Sequence, residues 1–166
     1  MGSVTLKVGQ LPNFYTNHVS CNMNQKPEDP KDSSTIIKNS LKEAKDFEVR
    51  ARPIVERYFN VQLFERAVKI SENFTKKFDL VSEDEEWIGD MKYYRMIPTP
   101  AAKYSTIAEY VWLLQRTKAK HKFIVFGNSE ELPKKWYNKH HELLDDVEFW
   151  FIDSKNAMKR ISDTVD

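Results

Sequence analysis

FDLVSEDEEWIGDMKYY, residues 78 to 94, puts Asp79 on one apolar run and Asp90 on the next, two residues before Lys92. An acidic turn joins the two runs. Side chains alternate along a strand, so Trp87-Ile88-Gly89-Asp90-Met91-Lys92 sends Asp90 and Lys92 to one face. Trp87, Gly89 and Met91 face the other way. With Asp79 at the end of the neighbouring strand, two carboxylates and an ammonium converge. Oxygen ligands of this kind suit a hard divalent cation, and the lysine beside them suits an anion.

Outward from this hairpin, apolar patterning predicts strands at Val61 to Ile70 and Lys77 to Val81, with a turn at Ser71-Glu72-Asn73. A third strand runs from Glu86 to Met96, closed by Pro98 and Pro100. Upstream, Asp32-Ser33-Ser34 offers an N-cap to an amphipathic helix carrying Ile36, Leu41, Ala44, Phe47, Ala51, Val55 and Tyr58. Pro53 either kinks that helix or starts a second one. Downstream, Ser105 is read as the cap of a helix reaching about Lys118, and HKFIVF at 121 to 126 as a buried strand. A helix near Pro133 to Leu144, a strand at Val147 to Ile152 and a last short helix complete the pattern. The order α-β-β-β-α-β-α-β-α implies an α/β fold, a mixed sheet flanked by helices. Residues 1 to 32, with Pro12, Pro27 and Pro30, read as an irregular amino-terminal arm with a short strand at Val4 to Val8. Residues 33 to 166 read as a single domain.

The 166 residues suffice for one buried core, and 40% apolar and 13% aromatic content fit a globular chain. No apolar run approaches membrane-spanning length, so no membrane partner is expected. One cysteine, Cys21, leaves no internal disulfide and no zinc site built on several thiolates. The amino terminus lacks the pattern of a secretory signal, which makes the cytoplasm the expected compartment. A net charge of +1 conceals an asymmetry: residues 79 to 90 hold six acids and no Lys or Arg. Residues 116 to 139 hold seven bases against Glu130 and Glu131. That distribution suits an anionic polymer held near a metal, or is ordinary solvated surface. Walker, GxGxxG, nucleophile-elbow and HExxH patterns are all missing, which argues against the chemistries they serve.

Mg2+ takes near-octahedral oxygen ligands and keeps several waters. Asp79 and Asp90 supply two carboxylates, and the backbone carbonyl of Met91 is a third candidate ligand. Such an ion, with Mn2+ as substitute, lowers the pKa of a bound water and stabilises charge on a phosphodiester. Lys92 would orient that water or neutralise the developing charge. An acid on the preceding helix, Glu48 or Glu56, would hold a second metal or activate the nucleophile.

The succession helix-Glu, strand-Asp, then Asp90-Met91-Lys92 resembles the PD-(D/E)XK nuclease superfamily. Phe47-Glu48 followed by Phe59-Asn60-Val61-Gln62-Leu63 is similar to a run that precedes the first strand in many members, which favours Glu48 over Glu56. The resemblance spans roughly residues 44 to 126. It implies a restriction-endonuclease-like fold with an αβββαβ core, and a Mg2+-dependent deoxyribonuclease, restriction- or repair-like. By position it makes Asp79, Asp90 and Lys92 the motif residues, with Glu48 completing the catalytic set. Lys103, Tyr104, Glu109 and Gln115, on the helix after the hairpin, become expected nucleic-acid contacts. The implied partner is DNA, and cutting a duplex with so small a domain implies a homodimer. Two positions depart from the family pattern. Phe78 stands where the motif has proline, and Asp90 replaces the commoner glutamate, one methylene shorter.

Competing readings use the same residues. One keeps the fold without catalysis and binds nucleic acid or a protein through residues 116 to 139. Another makes Asp79 and Asp90 exposed acids and Lys92 a guard on a sheet edge. His140 and His141, about 100° apart on a helix, read as a surface pair rather than a chelate. Trp136 and Tyr137 read as core anchors, with base stacking as the alternative.

Overall fold

The computed structural model describes residues 30–95 and 101–161, with side chains from residue 38 onward. Over these residues it is an α/β protein of three helices and one six-stranded mixed sheet. The elements are α1 (Pro30–Phe59), β1 (Phe64–Ser71), β2 (Phe74–Val81), β3 (Trp87–Tyr94) and α2 (Ala101–Gln115). There follow β4 (His121–Asn128), α3 (Glu131–His140), a 3-10 turn (His141–Leu143), β5 (Val147–Ile152) and β6 (Met158–Ile161). The strands stand in the sheet in chain order. β1, β2 and β3 run antiparallel, β3, β4 and β5 parallel, and β6 antiparallel to β5.

Parallel neighbours need a crossover, and α2 and α3 provide the two that are required. Both helices cover one face, where Ile107, Val111, Leu114 and Trp136 pack on Phe78, Ile88, Phe126 and Phe149. α1 covers the other face with Phe47, Ala51 and Val55 against Leu80, Met91, Phe123, Val125 and Trp150. A sheet buried on both faces explains why HKFIVF is apolar without alternation: residues 122 to 127 of β4 are all buried. Each large side chain enclosed this way contributes roughly 1.5–3 kcal/mol. α1 comes close enough to the sheet that a Cβ on Gly127 would lie 2.4 Å from the Phe47 ring.

Several expectations change here. α1 runs unbroken through Pro53, so it is one helix. The carbonyl deprived of its partner belongs to Val49, which is exposed, as is Pro53, so water can satisfy it. Asp32 to Ser34 lie inside α1, which begins at Pro30, a residue whose φ is preset for a first helical position. Ser105 caps nothing: it sits within α2, and its hydroxyl donates to the Ala101 carbonyl at 3.2 Å. The expected last helix is the strand β6. Asp153 accepts from the Lys155 and Ala157 N–H groups, and Asn156 takes φ 64, turning the chain back onto β5. The arm up to residue 29, Cys21, and the closing prolines at 98 and 100 lie outside the described residues. No helix among the described residues is long and apolar enough to cross a membrane.

Candidate active site

The β2–β3 ladder opens where the two aspartates meet. β2 pairs with β3 at Val81↔Ile88 and Leu80↔Gly89, and the register ends there. On its other side β2 carries an extra residue relative to β1, because Arg66 faces Phe78 while Phe64 faces Val81. Such a bulge bends the strand and raises its local twist. Phe78 consequently packs on the α2 side and Leu80 on the α1 side, although two residues apart they would normally share a face. Asp79 lies at this bend. Its Oδ2 accepts the Met91 N–H at 3.1 Å, taking the place of a strand partner. A strand residue exchanges its N–H and C=O on the same side, so the Met91 carbonyl also points into the gap.

Asp90 and Lys92 share a face, as their spacing predicts, and are ion-paired through Asp90 Oδ1. Asp90 is only 2% exposed and the Lys92 side chain 14%. Their strand is interior, between β2 and β4, so the edge-guard reading does not apply. Burial, the largest influence, drives the Asp90 carboxyl up to about 8 against the pull of Lys92. Asp79 raises it further, by charge and by a hydrogen bond between the two carboxyl groups. Burial acts to lower the Lys92 ammonium, but Asp90, Tyr110 and Asp79 outweigh it and hold it above its ordinary value.

Glu48 stands on α1 beside the buried Phe47. Burial and then the Asp79 charge raise its carboxyl, opposed by Lys92, Arg52 and Lys45. Arg52, one helical turn on, donates to the Asp79 carbonyl at 3.2 Å and fixes the bend of β2 to α1. Glu56 has a different task. α1 ends with Asn60 at φ 54 and the Val61 N–H on the Glu56 carbonyl, a left-handed helix stop. The Glu56 side chain then accepts the Leu63 N–H at 2.9 Å. Its carboxylate holds the entry to β1, and the acid facing the Asp79 and Lys92 charges is Glu48.

Tyr110 on α2 roofs the site, with the Lys92 Nζ 3.6 Å from its ring centroid and the Lys76 Nζ at 4.6 Å. Lys76 did not stand out in the sequence, and Tyr110 reads there with Trp112 and Leu114 as a stripe that is core on one side and partly exposed on the other. Tyr94, next along the face of β3, is buried, and its hydroxyl has no hydrogen-bond partner among the described residues. Lys103 lies over the Tyr94 ring at 5.2 Å, near the start of α2. Tyr104 packs into the core while its carbonyl accepts the Trp136 indole N–H at 3.2 Å. Gln115 ends α2, where its amide donates to the Leu143 carbonyl at 2.8 Å. Along a helix rising 1.5 Å per residue it stands roughly 18 Å from Lys103. The structure gives it a fold-tying contact away from the carboxylates.

Two other sequence features resolve as architecture. The acidic turn is built by Ser82 and Asp84: the Asp84 carboxylate accepts the Ser82 hydroxyl at 2.6 Å and the Glu86 N–H at 3.0 Å. The Ser82 hydroxyl, followed by the Glu86 N–H, holds the Asp84 carboxyl below its ordinary value. The basic stretch is not one cationic face, since Lys120 pairs with Glu86, Lys122 with Asp146 and Lys135 with Glu131. Trp136 is buried and stacked on Phe149, and His140 packs against it. A groove of about 680 Å3 runs between Val68, Ile70, Glu86, Arg116 and Lys118 and includes none of the site residues.

Among the described residues no three His, Cys, Asp or Glu side chains cluster as a ready metal cage. The donor set is therefore two carboxylates and a backbone carbonyl, with Glu48 set back. That is too few for a closed Ca2+ site and fits an ion that keeps its waters, as Mg2+ does. Compared with known protein families, curated proteins and solved structures, the chain has no significant match.

Proposed function

We propose that this chain is a metal-dependent deoxyribonuclease with a restriction-endonuclease-like fold, hydrolysing phosphodiester bonds as a homodimer. The observation that carries this reading is the opened β2–β3 ladder, which leaves the Asp79 and Asp90 carboxyl groups together beside a partly buried lysine on an interior strand. Charges are costly in such a place, and pKa values driven this far mark functional sites more often than structural ones. The order α1 β1 β2 β3 α2 β4 also follows the αβββαβ core of the resembled superfamily.

Asp79, Asp90 and the Met91 carbonyl would hold Mg2+ or Mn2+. Such an ion supplies Lewis acidity, acidifying water and offsetting phosphate charge. Lys92, beside Asp90, would face the phosphate and neutralise charge as it builds. Glu48, raised above its ordinary value, is the better proton acceptor for it. The water oxygen forms the new P–O bond, its proton passes to Glu48, and the bond to the departing sugar oxygen breaks as that oxygen takes a proton from solvent.

Plasmid DNA incubated with Mg2+ or Mn2+ tests this. Nicking or linearisation should fall at least 100-fold in Asp90→Ala and in Lys92→Ala, the scale of losing one preorganised charge. Cleavage that persists in both variants, or its absence in the parent protein with either metal, would overturn the assignment.

A further inference from the structure

The paired lysines on Tyr110 carry a statement about substrate. Lys76, on β2 three residues before Asp79, and Lys92, on β3, place their ammoniums 4.6 and 3.6 Å from the same ring centroid. They are therefore no more than about 8 Å apart. Lys92 has the buried Asp90 as counter-ion. Among the described residues Lys76 has only Glu109, at 3.9 Å, whose side chain is mostly exposed. A long, solvated pair of that kind contributes little, so Lys76 is incompletely neutralised next to a like charge. Tyr110 attracts both cations through its π face. Two ammoniums held on one ring, one of them paired through a long contact with an exposed carboxylate, form a receptor for a polyanion.

We infer that Lys76 and Lys92 bind successive phosphates of one nucleic-acid strand, Lys92 the phosphate that is cut and Lys76 its neighbour. One sugar-phosphate unit bridges the span between them. The site thus takes a polynucleotide and discriminates against an isolated phosphodiester. Lys103, over Tyr94, adds a further cation along this face of β3. This inference rests on the nuclease reading above.

Steady-state cleavage of a DNA oligonucleotide across a salt series, beside hydrolysis of bis(p-nitrophenyl) phosphate, separates the possibilities. Lys76→Ala should raise KM for the oligonucleotide about tenfold, with a much smaller change in kcat. It should lower the slope of log affinity against log salt by about one charge, as loss of a single phosphate contact does. Lys76→Arg should restore most of the affinity, and the small diester should respond far less than DNA does. Circular dichroism and a thermal midpoint taken on Lys76→Gln distinguish lost binding from lost fold. A parent protein that cleaves DNA while Lys76→Ala matches it in KM and salt slope overturns the second-phosphate site and leaves the nuclease standing. Equal losses on both substrates would move Lys76 into the reaction centre and overturn the inference as well. A parent protein that cleaves neither substrate takes both proposals down together.

Discussion

At Asp90 two demands conflict, because the position proposed to serve a cation is also one that disfavours a bare carboxylate. Its folded value is raised from the ordinary 3.8 to about 8. A raised value means that the folded state holds the proton more tightly than the unfolded chain. The associated stability is fully present below about pH 4 and lost as pH climbs through about 8. The thermal midpoint in metal-free buffer should therefore fall across that window, by the equivalent of a few kcal/mol. Asp90→Asn should flatten the slope, and Mg2+ should restore stability most at the alkaline end, where the ligand is deprotonated. Differential scanning calorimetry from pH 5 to pH 8.5, with and without Mg2+, reads all three. Tyr94 offers a simpler test: Tyr94→Phe removes a buried hydroxyl that has no partner among the described residues. It should leave stability equal or improved by roughly 1 kcal/mol in a denaturant titration. Much of this site was legible in the sequence. The period of two already placed Asp90 with Lys92, and the Phe47-Glu48 run already favoured the acid that faces them. Glu56 could be set aside only through Leu63 and the helix stop at Asn60, contacts made after the chain has turned.

Elements fix what single residues cannot. Asp79 reaches its place because β2 bulges against β1 and parts from β3, a register event that no local pattern encodes. α1 sets the height of Glu48 through the seat of Phe47 on Gly127. Gly127→Ala should force α1 away from the sheet, costing roughly 1–3 kcal/mol in urea unfolding. Under the proposed mechanism it should also depress cleavage at temperatures where the fold persists. The strands and helices with long periodic patterns were readable, β5 to the residue. Ends governed by local competition were not. Ser105 satisfied the composition of a cap but is taken up inside α2, and residues 158 to 161 were too short for periodicity to separate helix from strand. Pairing with β5 decided the latter.

For the molecule as a whole, the α/β class and the mixed sheet followed from the alternation of apolar segments, whereas the sheet order needed the structure. The proposed homodimer carries its own expectation. Sedimentation should show a species of twice the 19.6 kDa chain mass, and dilution below its dissociation constant should convert linearisation of plasmid into nicking. The sheet order has one more outcome, and it concerns synthesis. Since β1 to β6 stand side by side as they occur along the chain, each strand leaving the ribosome finds its neighbour already made, and none must be inserted between two strands that have paired. Glu48, Asp79, Asp90 and Lys92 all precede β4. A nascent chain thus gathers these four residues early, and β5 and β6 join the sheet afterwards.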